Sequence, residues 1–445
     1  MADATLPVRS STEARDRWYI VFVLVSAAVL SYLDRGIVSI LVPDLRRSLG
    51  LSEVEVSIVQ GFSFSLFFAV GGLLIGGLTD RLNRKLIVLC GVAGWSVMTM
   101  LCGLAQNFEQ LFAARAGVGI GEACLSPAAY SLICDLFSSE RRGRPMSFMV
   151  MAAAVGGAAS SLLGGIILKL LGGSGQIRLP VLGALEVWRV TFLLVGAPGL
   201  LMALLVLTIR EPTRGAAIRP AEFGTSYARF VWRNWRAAVS LKLTIALTFS
   251  TSYVVTAWVP TVLIRNFGHS AADAGMALGI IMVPSSILGG FLGGLLGDRM
   301  ARANRPYGRL RAWLGGTVPI VIGAMMMALG SETAFYAGTL IVLVTSGLLS
   351  SLSYPALYDI TPVQFRGRAI AVALLLASVI GMGAAITAVA VLTEHAFGND
   401  AAVRGSMSIV TAAAAIISPL LVLFQLKPYE TLRLAAQSMP PEASG

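Results

Sequence analysis

Four charged residues lie within stretches that are otherwise apolar. Asp34 and Arg35 are adjacent, and Arg115 and Glu122 are seven residues apart. Two carboxylates and two guanidinium groups can form ion pairs, and an anion that takes an arginine frees its carboxylate to accept a proton. A second interpretation stays open: the pairs could be salt bridges that only lock two helices together. The first interpretation predicts a switch that links a proton to an anionic ligand.

The composition places these residues in a membrane protein. Of the 445 residues, 56% are hydrophobic and only 13% are charged, which is more apolar surface than a water-soluble globule can bury. Twelve apolar segments are long enough to cross a bilayer as helices. Their apolar runs are continuous, which excludes a transmembrane β-barrel with alternating strands. The fold class is therefore predicted as an all-α membrane protein with twelve transmembrane helices.

A basic connection divides the chain into two six-helix bundles. The net charge is +11, and most of the excess lies on the side that carries both termini. The positive-inside rule makes this side cytoplasmic, and a bacterial inner membrane is the expected location. Because the charge is split among short loops, nucleic-acid binding is not expected. The expected parts are a cytoplasmic tail (1–17), an N-terminal bundle (18–209), a cytoplasmic loop (210–237), a C-terminal bundle (238–426) and a second cytoplasmic tail (427–445).

The two halves repeat each other. Helix 2 runs into GGLTDRLNRK (76–85), and helix 8 runs into GGLLGDRMARANR (293–305). Helices 4 and 10 both end in a Pro-containing string with an acid close to the end, at 126–145 and 354–369. Both matches place the repeated string at the cytoplasmic end of the corresponding helix in each half. This is the layout of two pseudo-symmetric bundles related by an axis along the membrane normal.

The depths of the four charges favour one cluster. At about 1.5 Å per residue, Asp34 and Arg35 lie between Arg115 and Glu122 in depth. Arg115 and Glu122 share one face of helix 4 because seven residues make two turns. The other charges are expected near helix ends. Lys169 and Lys242 should reach the interface, and Asp135 and Asp359 should be solvated.

Three strings carry a family resemblance: SYLDRGIV (31–38), RAGVGIGEACLSPAAYSLICDLF (115–137) and TAWVPTVL (256–263). Together with the loop after helix 2, they resemble the major facilitator superfamily and, within it, a bacterial-type homologue of the Spinster branch. The resemblance implies a proton-linked lysolipid or sphingolipid transporter with Asp34 and Glu122 as proton sites. It also implies that Arg35 and Arg115 are their partners or bind the headgroup. It gives a cytoplasmic gating role to Asp80, Arg81 and Arg84, with Asp298 and Arg299 as repeat counterparts.

The second half holds no charge at the positions that match the cluster. One wall of the cavity should therefore be polar and the other apolar, which suits an anionic amphiphile with its head on the arginines and its tail along helix 7. Helix 5 carries VGGAASSLLGG (155–165), a small-residue face for close helix packing. The candidate cavity-lining residues are Tyr32, Ser126, Tyr130, Tyr253, Trp258, Tyr354 and Tyr358.

Other classes of function lack their residues. The two histidines lie in predicted loops, the four cysteines have no metal-ligand spacing, and the phosphate-binding string GxxxxGK[ST] is absent. An enzyme, a metal site and a cofactor other than the coupling proton are therefore not expected. A carrier of a small organic anion or sugar acid and a non-transporting lipid receptor remain alternatives. The expected partners are the amphiphile, protons and the lipid bilayer, and the expected state is a monomer.

Overall fold

Twelve long apolar helices run through the molecule and confirm the predicted fold class. The computed structural model describes residues 11–79, 82–138, 141–172, 175–180, 183–212, 225–303, 307–362 and 365–438. Helices 1 to 6 are Ser11–Leu49, Glu53–Thr79, Arg84–Cys102, Phe108–Leu136, Gly143–Leu170 and Val187–Leu207. Helices 7 to 12 are Trp235–Phe267, Ala271–Ala303, Gly308–Leu329, Glu332–Ile360, Arg366–Phe397 and Val403–Ser438.

Two helices extend beyond their predicted ends. Helix 1 continues through Pro43 to Leu49, and helix 12 continues through Pro428 to Ser438. Proline removes one backbone donor and often ends a helix in water. Neighbouring helices in a membrane bundle support the freed carbonyl, so the helix can continue.

Two short elements lie between the helices. A two-stranded antiparallel hairpin, Gln176–Leu179 with Gly183–Glu186, connects helices 5 and 6. A linker helix, Thr225–Arg233, lies within the segment predicted as a loop and leads directly into helix 7. Its nine residues are too few to cross a membrane, so the sequence carried no transmembrane signal there.

The start of helix 1 and the end of helix 12 lie on one face of the bundle, called here the terminus face, where helices 4 and 10 end at Leu136 and Ile360. The other end, called the opposite face, carries the ends of helices 1, 7 and 11. Near the opposite face the two halves touch through backbone. A Cβ atom added to Gly279 would lie 2.7 Å from Leu162 N, and one added to Gly165 would lie 2.8 Å from Met276 N. Helices 5 and 8 therefore cross too closely for any side chain, as the small-residue string in helix 5 predicted.

Helices 2 and 11 make the matching contact on the other side of the molecule. Helix 2 has a π-helical turn at Ile58–Phe62, and helix 11 has a π-helical segment at Ala377–Ala384. Gly61 meets the carbonyl oxygen of Met382 where the two irregular segments cross. Gln60 strengthens the contact, because its side-chain amide donates to the carbonyl oxygen of Ala257 at 2.9 Å. The inter-half contacts described so far thus lie in the part of the bundle nearer the opposite face.

Candidate substrate and coupling site

The four predicted charges meet in the middle of the N-terminal half as two separate ion pairs. Arg35 Nε lies 2.6 Å from Glu122 Oε2. Arg115 Nη1 lies 3.6 Å from Asp34 Oδ1. Asp34, Arg115 and Glu122 are 3%, 0% and 1% exposed. Each ion pair thus joins helix 1 to helix 4, and each helix contributes one acidic residue and one arginine.

The two pairs differ in access to solvent. The Arg35 side chain keeps 16% of its surface exposed, whereas the Arg115 side chain has none. The Arg35–Glu122 pair therefore borders the cavity, and the Asp34–Arg115 pair lies behind it. Of the two arginines, Arg35 is thus the one that solvent reaches.

A hydroxyl group donates a hydrogen bond to the carboxylate of each ion pair. Ser31 Oγ donates to Glu122 Oε2 at 2.6 Å, and Thr99 Oγ1 donates to Asp34 Oδ2. These two partners were missed in the sequence, since single hydroxyl residues in apolar helices follow no pattern.

Several buried atoms of the cluster keep free hydrogen-bonding capacity. Within the described part of the chain, Glu122 Oε1, Asp34 Oδ1 and all three guanidinium nitrogens of Arg115 have no hydrogen-bond partner. Buried polar atoms are normally satisfied, so unpaired ones point to a proton, a water molecule or a ligand that binds there. Each acid therefore has one carboxylate oxygen without a hydrogen bond, and that of Asp34 faces Arg115 across the ion pair.

Aromatic rings hold the outer arginine in place. The Arg35 guanidinium carbon lies 4.6–4.7 Å from the ring centroids of Tyr32, Phe64 and Phe68. Phe64 also lies 5.5 Å from the guanidinium carbon of Arg115, so one ring separates the two arginines. Cation–π contacts stabilise each positive charge while apolar rings exclude water around it. The two phenylalanines were not predicted, because apolar residues in helix 2 are indistinguishable from packing residues.

Five of the predicted lining residues gather around this pair. The phenol of Tyr354 is close enough to interact electrostatically with the phenols of four other tyrosines, which come from both halves. Tyr253 also lies in electrostatic range of Arg35. The five are Tyr32, Tyr130, Tyr253, Tyr354 and Tyr358. Tyr130 and Tyr358 are each 37% exposed, and Ser126 lies exposed one turn from Tyr130.

Trp258 is not on the cavity surface. Its side chain is fully buried, and its indole nitrogen donates to the carbonyl oxygen of Ile386 at 3.2 Å. It therefore packs helix 7 against helix 11. The prediction that it lines the cavity was wrong, because an aromatic residue in a helix facing a cavity and one facing its neighbour have the same sequence signature.

One predicted gate residue is the centre of an ionic network on the terminus face. Arg84 pairs with Asp135 at the end of helix 4, and its Nε lies 3.0 Å from Glu211 Oε1. The backbone nitrogens of Arg84 and Lys85 also donate to Glu211. Burial raises the pKa of Glu211, but these hydrogen bonds outweigh burial and hold it below its ordinary value. Glu211 therefore caps the start of helix 3 and ties helix 6 to it.

The second half repeats this network. Arg309 pairs with Asp359 at the end of helix 10, and Tyr429 of helix 12 donates to the same carboxylate at 2.8 Å. Glu430 accepts from the backbone nitrogen of Tyr307 at 3.0 Å, as Glu211 does in the first half. Asp135 and Asp359 are thus ion-paired, although the sequence had suggested solvated helix ends.

The other gate predictions have different outcomes. Asp80 and Arg81 lie outside the described residues. Asp298 and Arg299 are exposed at the end of helix 8. Lys242, predicted to reach the interface, is instead 3% exposed, and its Nζ donates to the carbonyl oxygen of Ala238 at 2.7 Å.

An ionic cluster joins the two halves on the opposite face. Glu53 of helix 2 accepts two hydrogen bonds from Arg265 of helix 7, at 2.8 and 3.0 Å. Arg46 lies 2.7 Å from Glu53 and 2.6 Å from Asp400. The cluster closes this face between the halves. It was not predicted, because an acidic residue in the first turn of a helix is common for helix-dipole reasons alone.

Two six-helix bundles around a cavity with buried charges define a secondary transporter rather than an enzyme. The sequence profile of the Major Facilitator Superfamily matches residues 24–386, so the chain belongs to this superfamily. It is a multi-pass membrane protein, as the twelve helices require.

Relatives confirm the resemblance to the Spinster branch, and they also include transporters with other names. The chain is 29% identical over 311 residues to an MFS-type efflux pump of Mycolicibacterium smegmatis, covering 69% of this chain and 68% of that protein. It is 28% identical over 286 residues to a probable L-galactonate transporter of Escherichia coli, covering 61% of this chain and 60% of that protein. It is 29% identical over 341 residues to protein spinster homolog 1 of Bos taurus, covering 71% of this chain and 62% of that protein.

A solved structure agrees with the fold. A bacterial homologue of the human lysosomal transporter Spinster, in an inward-facing and unoccupied conformation, superimposes with a TM-score of 0.77. It is 24% identical and the match covers 96% of this chain and 99% of that one. At this identity the likeness concerns the fold.

Proposed function

We propose that the protein is a proton-coupled transporter that moves an anionic amphiphile, such as a lysophospholipid or a sphingolipid-like molecule, by alternating access. The observation that carries the proposal is the Arg35–Glu122 pair, which borders the cavity while a second pair lies buried behind it. The proposed setting is a bacterial inner membrane, with both termini cytoplasmic and the protein monomeric.

The coupling follows from competition for Arg35. An anionic headgroup that binds the guanidinium draws it away from Glu122, whose carboxylate is then buried without a counter-charge. A buried charge without a partner is far less stable than the neutral acid, so Glu122 takes up a proton. Glu122 Oε1, which has no partner among the described residues, is the atom placed to hold it. Release of the anion restores the pair and expels the proton.

Asp34 has a second role in this scheme. It stays paired with Arg115, whose side chain has no exposed surface, and its own side chain is only 5% exposed. Movement of Phe64, which touches both guanidinium groups, would couple the outer pair to the inner one. Asp34 and Glu122 are thus proposed as the two proton sites, and Arg35 and Arg115 as their partners or headgroup ligands.

The tail of the substrate is proposed to lie against the C-terminal half. In this half, the wall that faces the cavity is formed by aromatic rings such as Tyr253 and Tyr354 rather than by charges. Burial of each additional methylene contributes about 0.8 kcal/mol, or roughly fourfold in affinity. Inhibition by lysophospholipids of increasing chain length should therefore strengthen steeply, whereas a small organic anion site would show no such trend.

The direct test is uptake by the purified protein in liposomes. Labelled lysophospholipid should accumulate when a pH gradient is imposed. In Glu122→Gln the gradient should no longer drive accumulation, while exchange of labelled for unlabelled substrate continues, because the neutral amide can still accept a hydrogen bond from Arg35. Glu109→Gln is the matched control, since Glu109 lies exposed on the same helix and outside the cluster.

Other results of the liposome experiment would favour a different substrate or a receptor. The hydroxyl-rich cavity and the L-galactonate transporter among the relatives favour a small organic anion or sugar acid as the second candidate. Accumulation of such an anion without any lysophospholipid uptake would overturn the amphiphile. Binding of lipid with no turnover in sealed vesicles would indicate a receptor. Gradient-driven accumulation that is unchanged in Glu122→Gln would overturn the coupling role of Glu122.

A further inference from the structure

The linker helix, Thr225–Arg233, has one face packed on the protein and one face uncovered. Tyr227 and Phe230 point inward, and their ring centroids lie 5.7 and 5.9 Å from that of Phe365 at the start of helix 11. The linker helix is therefore anchored to the C-terminal half on the terminus face.

The uncovered face combines large aromatic and cationic side chains. Trp232 is 84% exposed and Trp235, at the start of helix 7, is 50% exposed. Between and beside them lie Arg229, Arg233 and Arg236, which are all exposed. These five residues are called here the linker surface.

Arginine and tryptophan together indicate a membrane interface as the environment. An indole that is four-fifths exposed is unfavourable in water, but tryptophan is enriched where the hydrocarbon core meets the headgroups. The linker surface is at that level, because it is continuous with the first turn of helix 7. Trp235 also packs against Phe424 of helix 12 at 5.8 Å, so its ring continues the apolar surface of two spanning helices.

Among the described residues, the arginines of the linker surface, Arg229, Arg233 and Arg236, have no acidic ion-pair partner. The guanidinium carbon of Arg236 instead lies 5.8 Å from the ring centroids of both Trp235 and Phe424. An arginine close to an anionic leaflet gains about 1 kcal/mol. Three such residues on one short surface fit a partner that presents several negative charges in a plane.

We propose that the linker surface binds the headgroups of anionic phospholipids in the surrounding leaflet, with Trp232 inserted at the level of the glycerol backbone. The partner is the bilayer itself and not the transported substrate, so the proposal is independent of the coupling mechanism. Lipid binding here holds the linker helix against helix 11, a helix that also forms the crossing with helix 2.

The test compares lipids and variants on the full-length protein. Native mass spectrometry gives the apparent affinity for phosphatidylglycerol, phosphatidylcholine and free glycerol phosphate. The triple variant Arg229→Gln, Arg233→Gln, Arg236→Gln should bind phosphatidylglycerol at least about tenfold more weakly than the wild type. A control triple variant, Arg141→Gln, Arg144→Gln, Arg311→Gln, removes the same charge from other exposed positions on the terminus face and should retain binding.

A second measurement locates Trp232. Lipids brominated near the glycerol end of their chains should quench tryptophan fluorescence less in Trp232→Phe than in the wild type. Equal losses in the two triple variants would overturn the proposal, since net charge alone would then explain binding. Equal affinity for the two phospholipids, competition by free glycerol phosphate at matching concentration, or no change in quenching would also overturn it.

Discussion

The two halves of the protein are alike at the terminus face and unlike in the middle of the membrane. At the terminus face each half has an arginine paired with an aspartate and a glutamate that accepts from a backbone nitrogen at the start of a helix. The glutamates differ in their arginine, because Glu211 pairs with Arg84 and Glu430 pairs with Arg433. In the middle, the first half has two buried ion pairs. The second half has neutral contacts there, such as Thr251 Oγ1 with Ser346 Oγ at 2.7 Å and the Trp313 indole donating to Thr248 at 2.9 Å.

This difference separates the parts of the repeat that hold the bundle from the parts that recognise a ligand. The network on the terminus face occurs in both halves, which is expected if it holds the helix ends of each half together. The buried ion pairs occur only in the first half, which is expected if they bind a ligand for the whole molecule. The comparison predicts large effects in the first half's centre, equal effects at the two repeated networks and small effects in the second half's centre.

The largest effect is expected for Asp34→Ala. It leaves Arg115 buried without a counter-charge, and removal of one partner of a buried ion pair lowers the free energy of unfolding by about 3–5 kcal/mol. Thermal or denaturant unfolding in detergent measures the loss. The double variant Asp34→Ala, Arg115→Met should recover most of it, because the uncompensated charge is gone. A double variant as unstable as the single one would contradict a role for the buried charge.

Equal and intermediate effects are expected for Asp135→Asn and Asp359→Asn. Each change removes the charge from one copy of the repeated network, and hydrogen bonds to charged groups contribute about 1.5–3 kcal/mol. The same unfolding measurement should give two values within about 1 kcal/mol of each other. A large loss in one half alone would show that the two networks are equivalent in geometry but not in strength.

A smaller effect is expected for Thr251→Val in the second half. The change removes two neutral hydrogen bonds, with Ser346 and with the carbonyl oxygen of Thr248, and keeps the side-chain volume, so the loss is about 1–2 kcal/mol. Thr251→Val, Ser346→Ala should be no worse than the single variant, since both partners of the bond are then apolar. Loss of transport in Thr251→Val with normal stability would show that the centre of the second half takes part in transport. This would contradict the difference proposed between the two halves.

The smallest effect concerns pH. The pKa of Glu211 is held below its ordinary value of 4.5, so its contribution to stability is present above that value and is lost as the pH falls through the lower value of the folded protein. Because Glu211 is partly solvated, the contribution is below about 1 kcal/mol. Unfolding temperatures of the wild type and Glu211→Gln should therefore differ at pH 7 and converge at low pH. A difference that is constant with pH would exclude a role for the carboxylate charge.

Much of the fold followed from the sequence, because continuous apolar runs and a repeated charged motif leave few alternatives. The ends of helices 1 and 12 were less predictable, since Pro43 and Pro428 end helices in water but not in a supported bundle. The linker helix was missed because it is too short to give a transmembrane signal.

The sequence predicted the charged residues of the site, but it did not predict which residues contact one another. Asp34, Arg35, Arg115 and Glu122 were identified because charge is costly in a membrane. Which acid meets which arginine depends on helix rotation, which no single sequence specifies. For the same reason Phe64 was not predicted and Trp258 was assigned wrongly, since a ring against a guanidinium and a ring against a neighbouring helix differ only in orientation.

The crossing of helices 5 and 8 has a consequence for the resting state of the protein. Gly165 and Gly279 leave no room for even a methyl group between the two halves. A methyl group there would act as a wedge on the opposite face and shift the population toward the conformation that opens on that side. The close approach at Gly165 and Gly279 thus favours closure of the opposite face, and it does so without any contact with the four charged residues.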